Sequence, residues 1–435
     1  MGKEKLYYLF VLITLIYLIW RNRQNGLAIL IIFCFYQGLA AFHGKIIQNP
    51  YKILIVIISV HLLIKYKAIS NLNKKEKIFI LVFTIFSSYF LFSSILNKDS
   101  FNLCFSQYSK YFTSFCLYFL LNHFIKKSPE DIHYYKNVFF SLLNAQILLS
   151  FIKWYIFGIQ EWIVGSILYE GGGPASILPV LGFILIWLNK QGELKTKDWI
   201  YVILLLIIGL ASLKRAIWFI MPLFVFLFLY YVPKKVNIKK IIYLAPLIPL
   251  IFYLGVRLNP TLNKEHIMGG SFDLKYLSDY VMYYNFGKTE DTKTIQLGKG
   301  RGGATLLIWD KLLQNKSLSF NDFFGYGLAK YYASNYEQFQ KYDFGLNHKG
   351  AATGVVQTYI SFGFIGIIIT ILLIISILKL IYHQRTSITI GIFLFYDYLF
   401  YSGFLIRIEA LAVLLYFIII YSNLQSTRGN YIAQG

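Results

Sequence analysis

Residues 353–381 read TGVVQTYISFGFIGIIITILLIISILKLI, a run whose single formal charge is Lys379. A helix needs about 17 to 25 apolar residues to cross a hydrocarbon core of about 30 Å, so this stretch is a membrane span by length and composition. Its first half carries Thr353, Gln357 and Ser361, which recur every four residues. That spacing stacks the three side chains on one helical face, and the stripe should turn toward protein or a cavity rather than lipid.

Similar runs fill most of the remaining chain. Before it they lie near 5–20, 26–42, 50–64, 78–96, 104–124, 137–157, 173–188, 199–213, 216–232 and 241–256, and after it near 387–404 and 408–422. With 57% hydrophobic and only 14% charged residues, water cannot be the main solvent. The expected fold is an all-α polytopic membrane protein with about 12 to 13 transmembrane helices. No small-residue cleavage pattern follows the first run, which reads as a retained helix, and no internal repeat is evident.

A net charge of +22 could suggest nucleic acid, but the basic residues form short clusters between apolar runs, as topology signals do. One set of loops holds 20 of them, among them Arg21, Lys74, Lys126, Lys195, Lys234 and Lys379; the other holds 8, including Lys52, Lys98, Lys214, Arg215 and Arg407. The richer set stays cytoplasmic, which puts the C-terminus inside and residues 257–352 outside. Three parts follow: a transmembrane bundle over 1–256, one large extracytoplasmic loop over 257–352, and C-terminal transmembrane helices over 353–435. Cys34, Cys104 and Cys116 lie in or beside apolar segments without metal-ligand spacing and read as packing residues.

The loop is too polar to span and too long for a simple connector. Its nine tyrosines and eleven glycines suit an irregular surface that offers ring faces to sugars; a plain lid is the other reading. Within it, Gly298–Gly303 reads GKGRGG and opens into a helix on which Leu307, Ile308 and Leu312 share a face. Lys299 and Arg301 beside free helix-terminal amides would make an anion site, although a simple turn has the same pattern. Lys214 and Arg215 sit at the outer end of a helical hairpin, where Arg215 could grip a diphosphate or merely reach the headgroups. Arg257 and Arg407 are further outer cations. His348, just before the 353–381 run, is the strongest base candidate, with His266 and His43 as outer-side competitors. Lys110, Lys153 and Asp397 are charges inside apolar segments, explained either by a wet outer vestibule or by a buried ion pair. No closely spaced Asp-x-Asp pair is present outside, so no metal is expected and leaving-group charge falls to Arg and Lys.

Arg301 through Trp309, Phe324–Gly327 (FGYG), Asn347 and His348, and Gln357–Gly366 (QTYISFGFIG) together resemble the O-antigen polymerase (Wzy) and O-antigen ligase (WaaL) superfamily. Ser212, Lys214 and Arg215 resemble that family's outward-facing arginine segment. The resemblance implies a GT-C-like, metal-independent glycosyltransferase of the bacterial inner membrane, without a cofactor, acting on its periplasmic side. Its substrate would be an undecaprenyl-diphosphate-linked oligosaccharide, with membrane lipids and a chain-length regulator as further partners and no nucleic acid. Carried over by position, Arg215 and Arg301 hold the diphosphate and His348 is the base. Lys214, Lys299, Arg257, Gln357, Arg407 and Tyr326 contact substrate. Counting back the ligase spacing of about eleven residues from Gly363 lands on Ala352, four residues beyond His348. This departure favours a polymerase over a ligase; a flippase is the non-enzymatic alternative.

Overall fold

The computed structural model describes residues 72–158, 174–189, 194–212, 246–287, 297–314, 318–333, 344–346, 352–381 and 384–401, with isolated positions elsewhere. The described chain is largely helical, and no strand occurs among the described residues. The expected helices near 5–20, 26–42, 50–64, 216–232 and 408–422 lie outside them, apart from isolated positions.

Helix α1 is Lys74–Leu96, α2 Phe101–Lys127, α3 Ile132–Phe157, α4 Pro174–Asn189, α5 Thr196–Ala211 and α6 Leu247–Leu258. Then come α7 (Leu274–Phe286), α8 (Gly300–Gln314), two short helices α9 (Phe320–Phe324) and α10 (Leu328–Ala333), α11 (Gly354–Leu380) and α12 (Gln384–Phe400). Among the described residues three segments are long and apolar enough to cross a membrane: 74–96, 129–157 and 354–380. Their outer faces are apolar too: Leu81, Ile85 and Ile95 on α1 and Ile368 and Leu372 on α11 are exposed. Helices apolar on the outside as well as the inside need an apolar solvent.

Helices begin earlier than the apolar runs wherever polar caps extend them. Asn73 caps α1 by accepting from the Glu76 amide while Glu76 accepts from the Asn73 amide, a reciprocal pair that starts the helix at Lys74 rather than at the first apolar residue. The buried Glu76 also accepts from Asn122 (2.9 Å) and Lys126 (2.5 Å), tying the start of α1 to the end of α2. Between them aromatic rings pack, most closely Phe83 on Phe115, stacked at 4.0 Å.

Within the segment 257–352 the described residues form α7 to α10, joined by turns. On α8, Leu307 is buried and Ile308 and Leu312 pack beside it against Val356 and Ile360 of α11, as their shared face predicts. The stripe on α11 turns inward, with Thr353, Gln357 and Ser361 all buried.

Helix α11 breaks at Gly363, whose φ of 67° and ψ of −167° are not helical. Into the break fits the turn after α9. The Tyr326 amide donates to the Ile360 carbonyl (2.8 Å), Ser93 Oγ to Phe324 O (2.9 Å) and Ser361 O (3.4 Å), and Tyr89 Oη to Phe362 O (2.7 Å). A freed carbonyl left unbonded in an apolar setting costs several kcal/mol, so these donors from α1 and the turn are what allow the break.

Candidate functional site

Residues 318–333 form a strap held at both ends by carboxylates. At one end Asp99, in the turn between α1 and α2, accepts from the Leu328 and Ala329 amides, each at 2.9 Å. At the other the buried Asp322 accepts from Tyr326 Oη (2.7 Å), Ser319 N (2.7 Å), Ser319 Oγ (2.7 Å) and Tyr359 Oη of α11. Burial pushes the Asp322 carboxyl up, but the bonds from Tyr359, Tyr326 and Ser319 outweigh it and hold its pKa below the ordinary carboxylate value. For Asp99 the balance is reversed: burial wins over its two amide bonds and the pKa is raised. Neither carboxylate was singled out from sequence, since lone acids in polar turns carry no spacing signal; the residues that resemble FGYG and QTYISFGFIG are the ones Asp322 joins.

The GKGRGG turn lies against the end of α7. Gly298 and Gly300 have φ of 79° and 71°, and a Cβ on Gly300 would stand 2.2 Å from the Tyr284 carbonyl oxygen. Only glycine lets the start of α8 come this close to the end of α7. That approach places Arg301 with its guanidinium 4.2 Å from the ring centre of Tyr401, just beyond α12, and 5.9 Å from that of Tyr284. Lys299 Nζ lies 4.8 Å from the Tyr283 ring. Arg301 Nε is buried and has no hydrogen-bond partner among the described residues. The two tyrosine faces hold a cation without neutralising it, and among the described residues that Nε donor has no partner.

The other expected site residues divide. Arg257 donates Nε to Gly270 O (2.9 Å) and Nη2 to Gly269 O (3.0 Å), which commits it to closing the 259–270 turn. Gln357 donates Nε2 to Ala352 O (3.2 Å) while its buried Oε1 has no partner among the described residues. The Tyr326 hydroxyl is committed to Asp322; burial and then that bond push its pKa up, so it stays a donor. Lys153 donates to the Gly165 carbonyl, and its ammonium is not paired with Asp397 in any described contact. His348, Arg215, Lys214 and Arg407 lie outside the described residues, as does the Lys110 side chain. Among known proteins, no family model, no curated protein and no solved structure matches this chain. Function has to be read from the side chains.

Proposed function

We propose that this chain is a polysaccharide polymerase of the bacterial inner membrane, joining undecaprenyl-diphosphate-linked repeats on the extracytoplasmic side. With the apolar runs outside the described residues counted, it crosses the membrane about 12 to 13 times. The observation that carries the reading is Arg301: a guanidinium laid over Tyr401 and Tyr284, with a buried Nε that has no partner among the described residues, two residues after Lys299. A fixed, planar, always-charged group is what a departing diphosphate needs. Support for sidedness comes from α1: its start carries the Lys74, Lys75 and Lys77 cluster, whereas the strap of the large loop is bonded at its other end, through Ser93 and Asp99. Ser93 follows Lys74 by 19 residues of this helix, about 28 Å at 1.5 Å per residue, close to the thickness of a hydrocarbon core.

In this reading the bond between the anomeric carbon of the growing glycan and its diphosphate breaks, and that carbon bonds to a hydroxyl oxygen of the incoming repeat. Arg215 and Arg301 stabilise the diphosphate, with Lys214, Lys299 and Arg407 adding positive potential. His348 takes the hydroxyl proton. A flippase would also carry a broken helix, but here the carbonyls freed near Gly363 already accept from Tyr326, Ser93 and Tyr89 and are not offered to an ion or a substrate.

The test is reconstitution in liposomes with a purified lipid-linked repeat and EDTA. A polymer ladder that disappears in Arg301→Ala and Arg215→Ala supports the reading. Full ladders from both variants, transport without polymer, or transfer of short chains to lipid A core would each overturn it.

A further inference from the structure

Helix α7 carries Tyr276, Tyr280 and Tyr284 at i, i+4 and i+8, and their rings form a row with centroids 6.3 and 6.2 Å apart and planes within 27° and 14° of parallel. Asp273 caps the helix through the Lys275 and Tyr276 amides, and Leu277 fixes its roll by packing with Val256 and Leu262. The row has chemically different ends. At one, the Arg301 guanidinium lies over Tyr284. At the other, the His266 ring meets Tyr276 edge-on at 6.0 Å. His266 Nδ1 faces the Pro260 carbonyl at 3.1 Å; since a carbonyl only accepts, Nδ1 is the donor there, and in the neutral ring Nε2 is left as an acceptor.

A cation followed by three tyrosine rings, two half-buried and Tyr284 exposed, spaced along about 12 Å of helix matches a linear ligand with an anionic end and a chain of sugars. Sugar rings lay their C–H faces on aromatic faces while their hydroxyls bond around the rim. We propose that Tyr276, Tyr280 and Tyr284 are a track for the glycan of the lipid-linked substrate, with its diphosphate at Arg301 and a distal hydroxyl donating to His266 Nε2. This rests on the polymerase reading. The track holds the sugars nearest the diphosphate, so its grip sets how often the growing chain is retained for another round.

The experiment uses the full chain in detergent and, as probe, the repeat-unit oligosaccharide released from its lipid by mild acid. Wild type binds it, and Tyr276→Ala weakens binding by about tenfold. Tyr280→Leu, which keeps the apolar packing of a half-buried side chain, also weakens it, whereas the solvent-facing Lys275→Ala binds as wild type does. In the liposome assay both weakened variants give shorter ladders. Equal binding by wild type, Tyr276→Ala and Tyr280→Leu, or no binding by wild type, overturns the track. Tyrosine-dependent binding without any polymer would leave the track standing and remove the polymerase reading; normal ladders from both variants would do the reverse.

Discussion

Gly325 and Gly363 lie back to back in the break of α11: a Cβ on Gly363 would stand 2.6 Å from the Gly325 amide nitrogen and 2.3 Å from the Phe323 carbonyl oxygen. Both residues have left-handed φ, 90° and 67°, and both would push against backbone, which cannot swing away as a side chain can. Gly363→Ala should therefore destabilise by more than the about 1 to 3 kcal/mol of conformational strain alone. Gly269 is the comparison, with φ 91° but open space around it; Gly269→Ala carries the strain without the clash. Thermal unfolding of the two variants in detergent, followed by size-exclusion chromatography, should rank them in that order. Equal midpoints would mean the strap does not fill the break.

Asp322 makes the strap sensitive to acid. Its folded pKa lies below the ordinary value, so the stabilisation is complete above the unfolded pKa of about 4 and is lost as pH falls through the folded value. Asp99, raised by burial, runs the other way: its contribution fades as pH rises through its folded value. The difference between wild type and Asp322→Asn isolates the first. Asparagine offers one acceptor oxygen where two phenols and Ser319 need several, and should cost about 2 to 3 kcal/mol. That gap should be constant from pH 6 to pH 8 and shrink below about pH 4. A gap that grows on acidification would contradict the carboxylate role.

How much of this could be read beforehand depends on whether a feature is local. The inward stripe of Thr353, Gln357 and Ser361 and the shared face of Leu307, Ile308 and Leu312 are helical spacings, and both emerged as read. The break at Gly363 did not, because glycine is common in spans that do not break. What bends it is the strap, 38 residues earlier at Gly325. Arg301 was legible as a cation in a glycine turn, but its partner Tyr401 is 100 residues away and no spacing rule connects them. Asp322 was one acid among several for the same reason: its Tyr359 partner arrives through the tertiary fold.

Arg301 supplies a third expectation. Arg301→Ala removes charge and should lower polymer formation by about 100-fold or more. Arg301→Lys keeps the charge but loses the flat group that lies over Tyr401 and Tyr284 and with it the two-pronged hold on phosphate proposed for it. It should fall between Ala and wild type, and the deficit should lie in turnover rather than in saccharide binding. Ladder intensity against time in the liposome assay, with the released oligosaccharide as the binding control, separates the two. A lysine variant as active as wild type would mean that the stacked geometry is irrelevant.

Sidedness gives the last expectation. Ser278 is exposed on α7 and Lys197 is exposed near the start of α5. If the basic clusters are cytoplasmic, a cysteine at 278 in a chain stripped of Cys34, Cys104 and Cys116 must react with an impermeant maleimide from outside, and one at 197 only after permeabilisation. Arg301, Lys299 and Asp322 belong to the same loop as Ser278, and among the described residues that loop is bonded to α1 at the end where Asp99 and Ser93 receive it. Labelling of 197 from outside and of 278 only after permeabilisation would invert the chain and put the Arg301 cluster on the face where no extracytoplasmic diphosphate could reach it.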